Sequence, residues 1–388
     1  MSARMNNQAR RQRGFSLIEL MVALVLGLIV VGGLIQVLIS NRTAYRLQES
    51  SNFLQQNLRY ASDRVNWSLR MADFWGGASA ANVTGSATDS PGSSGCGDAF
   101  TRAIKVSAAG GGGVFGYDGG TSFPITSCLS NAANYMPGSD VLVVRYADAD
   151  PCAFTGGAAT TANCAPGSRT YVETAAGGSS TMFPAPGGTA ASFAPPALAG
   201  ATTTLYVYPL RAEIYYLQPC SNPGASGCSA ASDDGNPIPT LMRMRIDNSA
   251  SQMKAEPIVE GIEQLQFEYG LANGNGPDGK ADAFRVAQWL SAKNMSATTW
   301  PQVIAVRVSM VARGRQRDVS VPQVSKMVLT PGCQYSIAVG GTLTLDKKDD
   351  CDGFTIAATR PDQFARRLAQ QTVQLRNRVR GMPTDPSP

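Results

Sequence analysis

From Leu20 to Ile39 the chain carries no charge and only one strongly polar side chain, Gln36. A run of about 20 apolar residues is long enough to cross a hydrocarbon core of roughly 30 Å as a helix. In front of it Arg4, Arg10, Arg11 and Arg13 form a short basic segment with no acidic residue. Arginines beside an apolar span hold that end in the cytoplasm, so the remaining ~350 residues are expected outside. A cleavable secretory signal places small residues after its apolar run. Here Ser40-Asn41-Arg42-Thr43 follows and helical patterning continues. The small residue at a charge-to-apolar boundary is instead Gly14, ahead of the run.

Beyond Ile39, apolar side chains recur at Leu47, Leu54, Leu58, Ala61, Val65 and Leu69, steps that keep one face of a helix apolar. Arg42, Arg46, Glu49, Arg59 and Arg64 fall largely elsewhere, no proline occurs before Pro91, and Gly76-Gly77 is a stop signal. The pattern predicts one helix from about Phe15 to about Phe74. Its first half is apolar all round, and its second is amphipathic, suited to packing on a folded domain. Gly27, Gly32 and Gly33 lie in the apolar half without forming G-x-x-x-G. Local unwinding and close packing against other helices both remain open there.

Histidine is absent, which removes Ser-His-Asp and Cys-His catalysis and most zinc sites. The net charge is +5, yet the largest basic cluster beyond the leader, Arg366, Arg367, Arg376, Arg378 and Arg380, has no interleaved aromatics for base stacking. A solvated face is expected there, and no nucleic-acid partner. All eight cysteines follow the apolar run: Cys96, Cys128, Cys152, Cys164, Cys220, Cys228, Cys333 and Cys351. An even number in an exported, loop-rich region reads as disulfides made in an oxidising periplasm. Eight cysteines allow 105 connectivities, and sequence does not choose among them. Sequential pairing is the expectation, because each such pair brackets a Gly/Ser/Asn/Asp-rich loop. No C-x-x-C redox motif occurs.

Residues 76–135 and 147–204 are rich in Gly, Ala, Ser, Thr, Asn and Pro and are expected to be surface loops. Asp140–Tyr146 is the first strand expected, followed by Leu205–Pro209, Glu213–Leu217, Leu241–Ile246, Ile258–Tyr269 and Gln302–Ala312. In the last of these, Ile304, Val306, Val308 and Met310 should face the core. Thr372–Val379 alternates Val373, Leu375 and Val379 with Gln374, Arg376 and Arg378. An antiparallel sheet packed on the long helix follows, an α+β arrangement. The Asn273-to-Asp282 stretch spaces Asn273, Asn275, Asp278 and Asp282 along a glycine-rich turn. Calcium loops use such oxygen spacing, but Pro277 and the missing bidentate Glu depart from the EF-hand, so a hairpin turn is the plainer reading and no cofactor is expected. Asp346, Asp349, Asp350 and Asp352 read as a solvated acidic loop.

Gly14-Phe15-Ser16-Leu17-Ile18-Glu19, with the basic leader and apolar run, resembles the type IV prepilin signal. The resemblance implies cleavage after Gly14 by prepilin peptidase and N-methylation of Phe15. It also implies an assembly role for Glu19, facing the cationic N-terminus of a neighbouring subunit. A carboxylate in an apolar helix is costly without such a partner; a Glu near the interface that reaches water is the alternative. Tyr45-Arg46-Leu47-Gln48-Glu49, Leu54–Ala61 and Leu69–Gly76 are similar to PilW-type minor pilins, as are residues 258–270, Trp300-Pro301 and Thr372–Arg378. Those proteins often show Gly-Cys where this chain has Gly76-Gly77, so no disulfide is carried over at that point.

The implied organisation is a cleaved leader (1–14), a membrane or filament-core helix (15–39), its amphipathic continuation (40–75) and an extracytoplasmic β-rich domain (76–388) of pilin-like fold. The implied function is that of a non-enzymatic minor pilin that helps initiate pilus assembly in a tip complex. It would lie in the inner membrane before assembly and in the pilus afterwards, with other minor pilins, the major pilin and a tip adhesin as partners. A J-type pseudopilin of type II secretion, or a tethered enzyme or receptor, is the alternative; for the last, no catalytic constellation is visible.

Overall fold

The computed structural model describes residues 14, 16–78, 80–85, 96–104, 112–125, 127–152, 154–155, 158–159, 170–175, 180–184, 205–246, 253–273, 282–317, 326–337, 343–354 and 364–380. One helix of 55 residues, α1 (Leu17–Met71), opens the chain. Its buried side chains are Leu54, Leu58, Ala61, Val65, Ser68 and Leu69, and their helical spacing keeps a single face inward. The chain divides into two compact units, Met1–Ser51 and Asn52–Pro388. The helix ends at Met71 rather than Phe74, because Asp73 takes a φ of 59° and Gly76 and Gly77 take 69° and 101°. Left-handed backbone cannot continue an α-helix.

The described strands of the second unit form four sheets rather than the one expected. The largest has eight strands: β1 (Val83–Thr84), β2 (Val114–Tyr117), β3 (Val141–Ala147), β6 (Thr170–Ala175), β7 (Ser180–Pro184), β8 (Leu205–Gln218), β9 (Thr240–Ile246) and β10 (Met253–Glu260). β4 (Phe154–Thr155) and β5 (Ala158–Ala159) pair with each other. The 14-residue β8 is the organising strand, antiparallel to β6 through its first residues, then to β3 and β9 further along. β1 pairs in parallel with β7, an exception to the antiparallel rule of the sheet.

A four-stranded antiparallel sheet runs in the order β12 (Asp282–Leu290), β11 (Ile262–Asn273), β13 (Val303–Arg317), β17 (Phe364–Gln374). β14 (Met327–Thr330), β15 (Cys333–Ile337) and β16 (Leu343–Lys347) form a third sheet. Three short helices, α2 (Asp98–Arg102), α3 (Ser232–Gly235) and α4 (Arg376–Arg380), lie between or after the strands.

β13 is buried on both faces. Val306, Val308 and Met310 join the main core with the inward residues of α1, while Val311 belongs to a second cluster with Met327, Leu329, Tyr335 and Phe354. Ser309 is accommodated because its hydroxyl donates to the Leu329 carbonyl at 2.8 Å.

The two stretches expected to be surface loops supply core instead. Every residue of β6 is buried, and Val83, Phe100, Ile104 and Ile125 are buried too. A strand hydrogen-bonded along both edges needs no alternation of large apolar side chains, which is why Thr170–Ala175 went unrecognised. The strand expected over Thr372–Val379 ends at Gln374, and Arg376–Arg380 is helical.

Candidate assembly site

Gly14 is exposed, and Phe15, the other half of the expected cleavage bond, lies outside the described residues. The first turn of α1 forms as the Leu20 N–H donates to the Ser16 carbonyl at 3.1 Å. Glu19 sits in that turn, exposed, where the helix dipole favours a negative group. From Leu17 to Ile39, 17 large apolar side chains are exposed by half or more among the described residues. This helix is long and apolar enough to cross a membrane. A Cβ at Gly27, Gly32 or Gly33 would meet nothing within 4 Å, so no contact among the described residues requires glycine there.

The second half of α1 is fixed by polar contacts as well as its apolar face. Asn57 donates to the Glu260 carbonyl at 2.7 Å, and Asn66 to the Gln371 side chain at 2.9 Å. Ser68 donates to Glu213 at 2.5 Å. The end of the helix is clamped by the last described residues. Asn377 Nδ2 donates to the carbonyls of Arg70, Met71 and Ala72 at 3.3, 3.3 and 2.9 Å, groups that a helix C-terminus otherwise leaves unsatisfied. Arg378 Nε pairs with Asp73, while its Nη1 donates to the carbonyls of Trp300 and Val303 at 2.6 and 3.2 Å. Asp73 also accepts the Gly113 N–H at 3.1 Å, and the Asp73 N–H donates to the Arg145 carbonyl at 3.2 Å. Arg145 is buried with its guanidinium 4.6 Å from the Phe100 ring, and burial lowers its pKa to about 10.

These contacts correct the reading of the C-terminal arginines as a solvated face for Arg366 and Arg378, whereas Arg367 and Arg376 are exposed as expected. Arg366 is buried and bidentate to Glu263, at 2.5 and 2.9 Å, and the half-buried Arg378 turns its guanidinium onto the buried Asp73. The alternation in sequence did not show that their partners stand about 100 and 300 residues earlier. The acidic loop is likewise divided. Asp346, Asp349 and Asp352 are exposed, but Asp350 is buried, accepting from Thr330 at 2.9 Å and pairing with Lys293 at 3.1 Å.

The structure joins Cys96 to Cys128, Cys220 to Cys228 and Cys333 to Cys351, with Cα separations of 5.0, 5.6 and 5.5 Å. Cys152 is disulfide-bonded, and Cys164 lies outside the described residues. Asn273 and Asp282 are register partners at the ends of β11 and β12; Asn275 and Asp278 between them lie outside the described residues. Among the described residues, no group of three or more acidic or cysteine side chains is placed to hold a metal.

Residues 226–377 match the family model of the type IV pilus-assembly protein W, and residues 9–35 match the prokaryotic N-terminal methylation motif. The chain thus carries a PilW domain behind a prepilin-type N-terminal motif. It is a minor pilin of the type IV pilus. The matched PilW region runs from the Cys220–Cys228 loop through all strands from β9 to β17 and ends at Asn377, the residue that caps α1. The methylation motif brackets Gly14, Phe15 and Glu19. Among solved structures, the type IV-like pilin TTHA1219 from Thermus thermophilus is similar at 11% identity. That similarity covers 62% of this chain and 78% of the other, with a TM-score of 0.23, a likeness too slight to carry weight. No curated protein matches. As a pilin, the chain is a structural subunit that associates with pilus components, and its apolar helix and prepilin motif fit membrane anchoring.

Proposed function

We propose that prepilin peptidase cuts the chain between Gly14 and Phe15 and methylates the new Phe15 amine. The subunit then waits in the inner membrane with its leader end cytoplasmic and its folded unit periplasmic, as the flanking arginines favour. From there it enters a low-copy position at the pilus end, beside other minor pilins, the major pilin and a tip adhesin, where it helps start assembly. Its role is structural, without catalysis.

The observation that carries this reading is the bare apolar surface of α1 with one carboxylate at its start. Such a surface needs lipid or neighbouring helices around it. Lipid accommodates the apolar side chains, but a carboxylate in an apolar surround is costly unless a cation neutralises it. The methylated amine of an adjacent subunit supplies that cation, which selects one axial register over others. Glu19→Ala and Glu19→Gln tested for entry into sheared pili decide the matter. Both are expected to accumulate in the membrane and be lost from pili; entry at wild-type levels contradicts the role of Glu19.

A further inference from the structure

The face of α1 that leaves the core carries its own pattern. Tyr60, Arg64 and Trp67 lie within about 60° of one another around the helix. All three are exposed, Tyr60 at 47% and Trp67 at 46%. The Trp67 ring meets the buried Tyr146 edge-on at 5.7 Å, so it is held in place while its outer side stays open. Beside it lies a cleft of about 310 Å³ whose lining includes Arg64, Arg211, Arg243 and Arg245.

Three of these four guanidinium groups are already matched. Arg211 pairs with Asp148 at 2.6 Å, Arg243 with Glu213 at 3.0 Å and with Glu256, and Arg245 with Glu256 at 3.1 Å. Arg64 stands 5.8 Å from the Tyr60 ring, and no carboxylate among the described residues pairs with it. Four cations against three carboxylates leave one positive charge over. Folding accounts for the matched three, but not for an unpaired arginine flanked by two exposed aromatics. Arg, Tyr and Trp are the residue types that dominate the energetics of protein interfaces. From Tyr60 to Trp67 the face is about 10 Å long, the reach of a few residues of extended peptide rather than of a single small ion.

We infer that this face of α1 and its arginine-lined cleft bind an acidic segment of a neighbouring pilus subunit. Arg64 takes an aspartate or glutamate carboxylate through its two-pronged guanidinium, and Tyr60 and Trp67 pack the side chains on either side. That the neighbour is a pilus subunit rests on the pilin reading above; the acidic character of the segment rests on the cleft.

The test places the photocrosslinking amino acid p-benzoylphenylalanine at position 67 of the full chain in cells. Products are scored in the membrane fraction and in sheared pili. The expected product joins this chain to another pilus subunit through a peptide containing Asp or Glu. Arg64→Glu lowers its yield about tenfold, the loss of a charge-assisted contact and the gain of a like-charge one. Arg59→Glu, whose exposed side chain is 3.9 Å from Asp63 on another side of the helix, changes the yield less than about twofold. Absence of a product in both fractions, a crosslinked peptide without acidic residues, or indifference to Arg64→Glu overturns the inference. N-terminal analysis of the same samples separates the two claims. Mature pilus-borne subunit without a crosslink sinks only the docking face. A chain that keeps its leader and stays in the membrane sinks the pilin reading, and the membrane-fraction crosslink still decides the acidic contact.

Discussion

Replacing Arg378 with Met probes how the C-terminal segment holds the end of α1. The side chains of Arg378 and Asp73 are 9% and 7% exposed, so the pair lies out of water. Arg378→Met removes the ion pair and the bonds to the Trp300 and Val303 carbonyls, and strands the Asp73 carboxylate with the Gly113 N–H as a remaining donor among the described residues. Removing one partner of a buried pair costs about 3–5 kcal/mol, most of it the penalty of an uncompensated charge. Asp73→Asn in the same chain removes that charge, keeps an acceptor for Gly113 and tolerates the left-handed backbone at this position. The double variant should therefore be more stable than Arg378→Met alone. Urea unfolding of the full chain in detergent, with its disulfides intact, reads all four corners of the cycle. A loss below about 1 kcal/mol for Arg378→Met, or purely additive losses in the double variant, would refute the clamp as a buried ion pair.

Asn377→Ala, which frees three helix-end carbonyls, should lower stability by about 1 kcal/mol in the same assay; no change means that water replaces the amide without loss. Changing both Cys333 and Cys351 to Ser should cost about 3 kcal/mol, the loop-closure entropy of an 18-residue separation, and lessen the protease resistance of β14–β16; unaltered stability and protection would contradict this. Burial, reinforced by the charge of Asp118, raises the Asp140 pKa well above its ordinary value. The folded chain therefore keeps a proton that the unfolded chain releases near pH ~3.9, and this contribution is full below that pH and lost as pH rises toward the folded value. Asp140→Asn should flatten that decline in a series of urea midpoints from about pH 4 upward; an unchanged slope would show that another group sets it.

The helix and its two characters were legible because periodicity and charge are local properties of sequence. Leu54, Leu58, Ala61, Val65 and Leu69 recur at helical spacing, and all are buried. β13 was legible for its apolar runs, though not for being covered on both faces, which depends on β14–β16 folding over Val311. β6 and β7 were hidden by composition, since Thr, Ala and Ser form strands here because β8 offers β6 an edge and β6 in turn offers one to β7. The polar framework was the least legible part. Nothing near Asp73 announces Arg378, and nothing near Glu263 announces Arg366, because those pairings exist only once β17 and α4 have returned to the helix and sheet. For the assembly site the reverse holds. The roles proposed for Gly14, Phe15 and Glu19 are read from a contiguous motif, and the partners they call for are molecules outside this chain.

Mass spectrometry of the N-terminal peptide from sheared pili tests the central claim most directly. The expected result is a low-abundance subunit that lacks residues 1–14 and begins with N-methylated Phe15. Recovery of the chain only from membranes, with Met1 or the arginine leader still attached, would contradict it.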